Sequence, residues 1–177
     1  MFDLSYSSNS NEQLNFWKQY QAQKETNEYY DIHKERLFMN CKFHNEDKDR
    51  ATVTIYFDST SKQPRVRREY KDGKLDGTER WYTPDGTLWL EREFKEGKLH
   101  GVSKQYSIKG ELLLRETFRD GKRDGESRQY DHSGKLLSVY HYSNGKIEEP
   151  VYIANLHYYR GGYFDSKYES QVLKMIG

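Results

Sequence analysis

The sequence predicts a mainly β protein with flanking helices: an elongated, single-layer antiparallel β-meander built from tandem 24-residue hairpin repeats. Three observations carry this prediction. An aromatic residue recurs at Tyr70, Phe94, Phe118 and Tyr142, each 24 residues from the last. Behind each comes a two-residue turn and a lysine: Asp72-Gly73-Lys74, Glu96-Gly97-Lys98, Asp120-Gly121-Lys122 and Asn144-Gly145-Lys146. Further columns fall in register at Gly77, Gly101 and Gly125, at Tyr82, Tyr106 and Tyr130, at Gly86, Gly110 and Gly134, and at Leu88, Leu112 and Leu136. So many coincident columns at a fixed period make a repeat, which governs the fold.

The turns dictate how each copy folds. Glycines at 73, 86, 97, 110, 121, 134 and 145 are alternately 13 and 11 residues apart, room for one strand and a tight connection. Asp-Gly and Asn-Gly suit hairpin turns because glycine and asparagine accept positive φ. Strand alternation agrees, since in TLWLEREF Leu88, Leu90 and Phe94 share one face while Trp89, Glu91 and Glu93 share the other. Leu112, Leu114 and Phe118 repeat the pattern.

The flanks are expected to differ from the repeats. Residues 1–42 read as a helical segment, one long helix or two short ones. Ser10 to Gln13 fits a capping box, and Leu14, Trp17, Tyr29 and Leu37 fall at helical spacing. Its apolar side is expected to cover one sheet face. Residues 43–69 read as a degenerate capping hairpin, with Phe43 as opener, alternation from Thr52 to Phe57, and a Tyr56 to Tyr70 spacing two residues too long. The repeats then span 70–149, broken early in the fourth copy by Glu149-Pro150. Residues 150–177 read as a C-terminal cap: a glycine turn within YYRGGYF, then a short helix opened by Ser166 and striped by Tyr168, Val172 and Ile176.

Composition bounds the function. A net charge of +1 supplies no overall field toward DNA or an anionic membrane. Aromatic residues make up 15% of the chain and argue against disorder despite a mean hydropathy of −1.14. Cys41 is the lone cysteine, which excludes an internal disulfide and a multi-cysteine zinc site. The N-terminus lacks the basic and apolar regions of a signal peptide and no run reaches transmembrane length, so a cytoplasmic location is expected.

No catalytic constellation is expected. His33, His44, His100, His132, His141 and His157 are scattered without metal-ligand spacing, no phosphate-binding glycine motif occurs, and no acid is embedded in an apolar run. His100 occupies a loop position where sister copies carry Asp76 and Asp124, which reads as mere tolerance of polar residues. The strongest surface signal is a basic column, Arg80, Lys104 and Arg128, alternating with Tyr82, Tyr106 and Tyr130. Packing of the tyrosines against neighbouring hairpins is one reading of it, and a docking face the other.

The pattern of aromatic, x, (Asp/Glu/Asn)-Gly-Lys, x, x-Gly, then Tyr and x, x, x-Gly, x-Leu resembles the bacterial variant of the MORN repeat found in YwqK-type antitoxin or immunity proteins. The resemblance covers residues 70 to about 147. It implies an elongated, twisted single-layer sheet and an antitoxin or immunity protein that binds and neutralises a cognate toxin; the absence of catalytic motifs adds the expectation of no catalysis, cofactor, metal or small-molecule substrate. Trp81, Trp89, Tyr106, Tyr130, Arg80, Lys104 and Arg128 are the candidate contacts. The broader family also includes scaffolding and membrane-apposed modules, whose lipid contacts here would be the Arg80, Lys104 and Arg128 column and the Lys74, Lys98, Lys122 and Lys146 column. Nucleic-acid binding through stacked tyrosines is a third reading. A monomer and a dimer both remain open.

Overall fold

A computed structural model describes residues 18, 25–29, 37–44, 46–57 and 63–153, with side chains placed at 18, 39–44, 46–57 and 63–148. They build one antiparallel sheet of 11 strands whose spatial order is their chain order. The strands are β1 (Glu25–Tyr29), β2 (Leu37–Phe43), β3 (Arg50–Tyr56), β4 (Pro64–Lys71), β5 (Lys74–Tyr82) and β6 (Leu88–Lys95), followed by β7 (Lys98–Tyr106), β8 (Leu112–Arg119), β9 (Lys122–Tyr130), β10 (Leu136–Ser143) and β11 (Lys146–Ile153).

The meander holds because its two kinds of connection have the backbone chemistry they need. At one margin, Lys71 pairs with Lys74 and Lys95 with Lys98 across two-residue turns. Both turn residues have positive φ, 49° and 75° at Asp72-Gly73 and 50° and 81° at Glu96-Gly97. These are type I′ turns, whose twist matches that of the strands. At the other margin the links are five residues long. In Thr83 to Thr87 the Thr83 N–H donates to the Thr87 carbonyl at 2.9 Å and the Gly86 N–H donates to the Thr83 carbonyl at 2.9 Å. Loops 107–111 and 131–135 repeat both bonds.

A third recurring feature was visible as a glycine column but not as a structure. At Gly77 and Gly101, with φ of 118° and 102°, the register slips against the preceding strand. Such a bulge strands a backbone donor. The Glu69 carboxylate accepts the Thr78 N–H at 3.0 Å, and Glu93 accepts the Val102 N–H at 2.8 Å. A Cβ at Gly77 would stand 2.9 Å from Glu69 Cβ, so the close approach and the backbone angle both require glycine.

The apolar core lies on one face, over β2–β5. Met39, Cys41, Phe43, Ala51, Val53, Ile55, Val66, Tyr70 and Leu75 are all buried, with Trp81 and Phe94 packed at their margin. Each large side chain buried here contributes roughly 1.5–3 kcal/mol. On the same face, directly opposed residues form a row through Val53, Arg68, Glu79, Arg92, Ser103, Glu116 and Ser127.

The flanking elements need correction. Tyr29 and Leu37, read as helical positions, lie in strands β1 and β2, which pair with each other, and β2 pairs with β3. The segment Leu37 to Phe43 alternates Met39, Cys41 and Phe43 toward the core, a period of two that outweighs the looser helical spacing once β3 offers an edge to pair with. Phe43 therefore closes β2 instead of opening a hairpin. At the other end β11 continues through Pro150 to Ile153, past the expected limit of the repeats. The expected capping box at 10–13, the glycine turn at 158–164 and the helix at 166–176 lie outside the described residues.

Candidate functional site

The face opposite the core carries a row of mostly cationic residues. Antiparallel pairing sets Arg67 opposite Arg80, Arg80 opposite Glu91, Glu91 opposite Lys104, Lys104 opposite Arg115 and Arg115 opposite Arg128. Directly opposed residues sit about 5 Å apart on one face, so these six make one row across β4–β9. The predicted column Arg80, Lys104 and Arg128 is thus the odd-strand half of a longer arrangement.

Glu91 organises its near end. It receives Arg80 Nε at 2.8 Å and Lys104 Nζ at 3.1 Å. Partial burial pushes the Glu91 carboxyl up, but hydrogen bonds from Lys104 and Arg80 and their charges outweigh this and hold it below the usual range. The same bond raises Lys104. At the far end Arg128 bonds Glu126 through both Nε and Nη2, which holds Glu126 low and raises Arg128. Arg115, Glu126, Arg128 and Tyr130 together line a depression of about 300 Å³.

The seven sequence-predicted contacts do not form one patch. Arg80, Lys104, Arg128 and Tyr130 share the cationic face, and Tyr106 lies close enough to Lys104 to influence its charge. Trp81 instead faces the core, opposite Val66 and Leu90, with the Arg68 guanidinium 5.5 Å from its ring. Trp89 is 38% exposed, and the register slip between Trp81 and Tyr82 brings its ring edge-on to Trp81 at 6.1 Å. The Trp81 Nε1 is buried without a hydrogen bond of normal geometry, yet near enough to the Glu79 carboxylate to help hold that acid low.

Two groups of residues escaped the sequence reading. Arg67 and Arg115 fall in a 24-residue column that reads Arg67, Glu91, Arg115, Val139, so periodicity offers no consistent chemistry there. Only the strand pairing places them between the other cations. The Asp76, His100 and Asp124 position is also more than tolerated polarity. Asp76 accepts the Glu96 N–H at 3.0 Å, His100 Nδ1 the Asp120 N–H at 3.5 Å, and Asp124 the Asn144 N–H at 3.3 Å. Each copy ties down the turn of the next. A shared acceptor at 24-residue spacing was the signal available.

On the core face Glu79 is the most buried acid. It bonds Arg68 Nε at 2.8 Å and Arg92 Nε at 2.9 Å, with its side chain 2% exposed. Burial drives its carboxyl upward, but the two guanidinium charges prevail and keep it below 4.5. Cys41 is fully buried and its thiol is pushed up to about 11, so it is not a thiolate at neutral pH. Among the described residues no three His, Cys, Asp or Glu side chains gather to hold a metal ion.

Residues 75–96 and 123–144 match the MORN repeat variant family, about a quarter of the chain. Together with the single open sheet, these matches support MORN-type β-hairpin repeats at two places, which suggest a repeat scaffold or interaction module. No curated protein matches the chain. Among solved structures, S. aureus TarM, crystallised as a substituted form with fondaparinux, α-GlcNAc-glycerol and UDP, aligns over 79% of this chain at 10% identity and a TM-score of 0.32. A second TarM crystal structure aligns over 79% at 11% identity and 0.33. A crystal structure of accessory secretory protein 1, 2 and 3 in Streptococcus pneumoniae aligns over 57% of this chain at 11% identity and a TM-score of 0.21. The chain spans 24% of each TarM chain and 17% of the pneumococcal one.

Proposed function

We propose that this chain is a non-catalytic antitoxin or immunity protein of the cytoplasm, which neutralises a cognate protein toxin by docking it on the cationic face. The observation that carries the reading is the row from Arg67 to Arg128, flanked by Tyr106 and Tyr130. Arginine and tyrosine dominate interface hot spots, and ion-paired side chains on a ladder are held in place before a partner arrives. Charge laid on one face gives orientation and rapid encounter with an acidic surface, even though the net charge is only +1. The toxin as partner follows from the repeat resemblance.

The test is affinity purification of the tagged protein from its own cells, followed by mass spectrometry. A stoichiometric protein that stops growth when expressed alone, and is silenced by co-expression of this chain, is the expected result. Loss of that rescue in an Arg80, Lys104 and Arg128 triple alanine variant would tie it to this face. Recovery of no stoichiometric protein would sink the reading.

A second reading has its own observation. Lys71, Lys74, Lys95, Lys98, Arg119, Lys122 and Lys146 flank the type I′ turns along one margin of the sheet, as opposed like charges at the first three turns. Such a margin suits anionic lipid head groups, at about 1 kcal/mol per cation. Co-sedimentation with phosphatidylserine vesicles at physiological salt, lost on replacing these lysines, would favour a membrane-apposed scaffold.

A further inference from the structure

In the cationic row Arg80 and Lys104 hold Glu91 and Arg128 holds Glu126, while Arg115 holds no carboxylate among the described residues. Arg67 is similarly unpaired, but it is exposed at the start of the row, where water solvates it. Arg115 is half-buried on β8, directly between Lys104 and Arg128. Glu126, gripped by Arg128, is near enough to feel the Arg115 charge, but a partly desolvated guanidinium opposed directly by Lys104 and Arg128 still gains from a carboxylate of its own. It also opens into the depression that Glu126, Arg128 and Tyr130 share.

The size and charge of that depression select the ligand. At about 300 Å³ it stands at the lower limit of small-molecule sites and suits the head of one side chain. Its lining of Arg115, Arg128 and Glu126 carries a net charge of +1. One carboxylate brings that to zero. A phosphate dianion overshoots and meets Glu126 at close range. Guanidinium and carboxylate also match in geometry, through two parallel N–H···O bonds.

We propose that this depression is the receptor for a single carboxylate, presented by an acidic side chain of the protein partner and gripped by the Arg115 fork. The inference rests on the docking reading above and names the residue that sequence periodicity could not.

The test follows the arginine Nε–H resonances of the ¹⁵N-labelled full chain by NMR during titration with a hexaglutamate peptide. The Arg115 resonance should shift on binding. Arg115→Ala, checked for an unchanged circular dichroism spectrum, should weaken the peptide by at least about tenfold, and Arg115→Lys should recover only part of this because charge returns without the fork. Lys42→Ala, on β2 six strands from Arg115, should bind as wild type. Unchanged binding by Arg115→Ala, no response to the peptide, or equal displacement by inorganic phosphate overturns the proposal. Purification from cells separates the two levels. A partner retained equally by wild type and Arg115→Ala refutes the site alone, whereas an Arg115-dependent peptide response without any protein partner supports the site and refutes the docking reading.

Discussion

Hairpins β4–β5 and β8–β9 are written on the same 24-residue template and share the same turn and the same glycine bulge position, yet their core-side faces differ. In the first, Tyr70 and Leu75 are each 9% exposed and Glu79 is enclosed between two arginines. In the second, the matching columns hold Phe118, half-buried, Arg123, exposed, and Ser127, with Glu116 pairing with Arg123. By β11 the Leu75 column has become Ile147, 54% exposed. Backbone and burial are therefore encoded separately. The recurring turns and glycines specify a ladder that extends itself, while the residues between them decide which part of the ladder acts as a core.

The comparison can be broken at equivalent columns, beginning with the largest effect. Tyr70→Ala should cost about 3–5 kcal/mol in urea unfolding, and Phe118→Ala in the same column less than half of that, because a half-exposed ring leaves a site that water can fill. Equal losses would show that burial does not grade along the sheet.

Glu79→Ala should come next. It leaves Arg68 buried without its carboxylate, a loss of about 3–5 kcal/mol. Glu116→Ala should cost about 1 kcal/mol or less, since the Arg123 it releases is 48% exposed and water replaces the acid.

Gly77→Ala should destabilise by about 2–3 kcal/mol, combining a positive φ with a close approach to Glu69. Gly121→Ala, whose Cβ would meet nothing within 4 Å, should cost only the backbone strain, about 1 kcal/mol. A reversed order would remove the bulge from the account of the repeat.

Acid titration should give the smallest contrast. A carboxylate held below its ordinary value of 4.5 binds fewer protons when folded than when unfolded, so Glu79 adds stability above 4.5 and loses it as pH falls through its folded value. Glu79→Gln should flatten the fall in stability below about pH 4.5. Part of the slope should persist, because Glu91 and Glu126 are held low as well.

Legibility followed the range of the interaction. The type I′ turns at Asp72-Gly73 and Asn144-Gly145 were readable because positive φ is a property of two adjacent residues. The strands between them followed from alternation. The first strands did not, since Leu37 to Phe43 satisfies a helical spacing and a period of two at once, and the edge of β3 decides between them. At the candidate site Arg80, Lys104 and Arg128 were visible as a column. Their separation from Trp81, which faces the core, was not read.

By itself the sequence determined the repeat, its period, its turns and the strands they join, because these depend on backbone preferences acting over a few residues. Only the tertiary structure decided that Glu91 and Arg115 stand between the predicted cations, that Asp76, His100 and Asp124 secure the following turn, and that Glu79 is enclosed by Arg68 and Arg92. Antiparallel pairing makes neighbours of residues 11 to 20 positions apart, and local propensities carry no information about what those neighbours are.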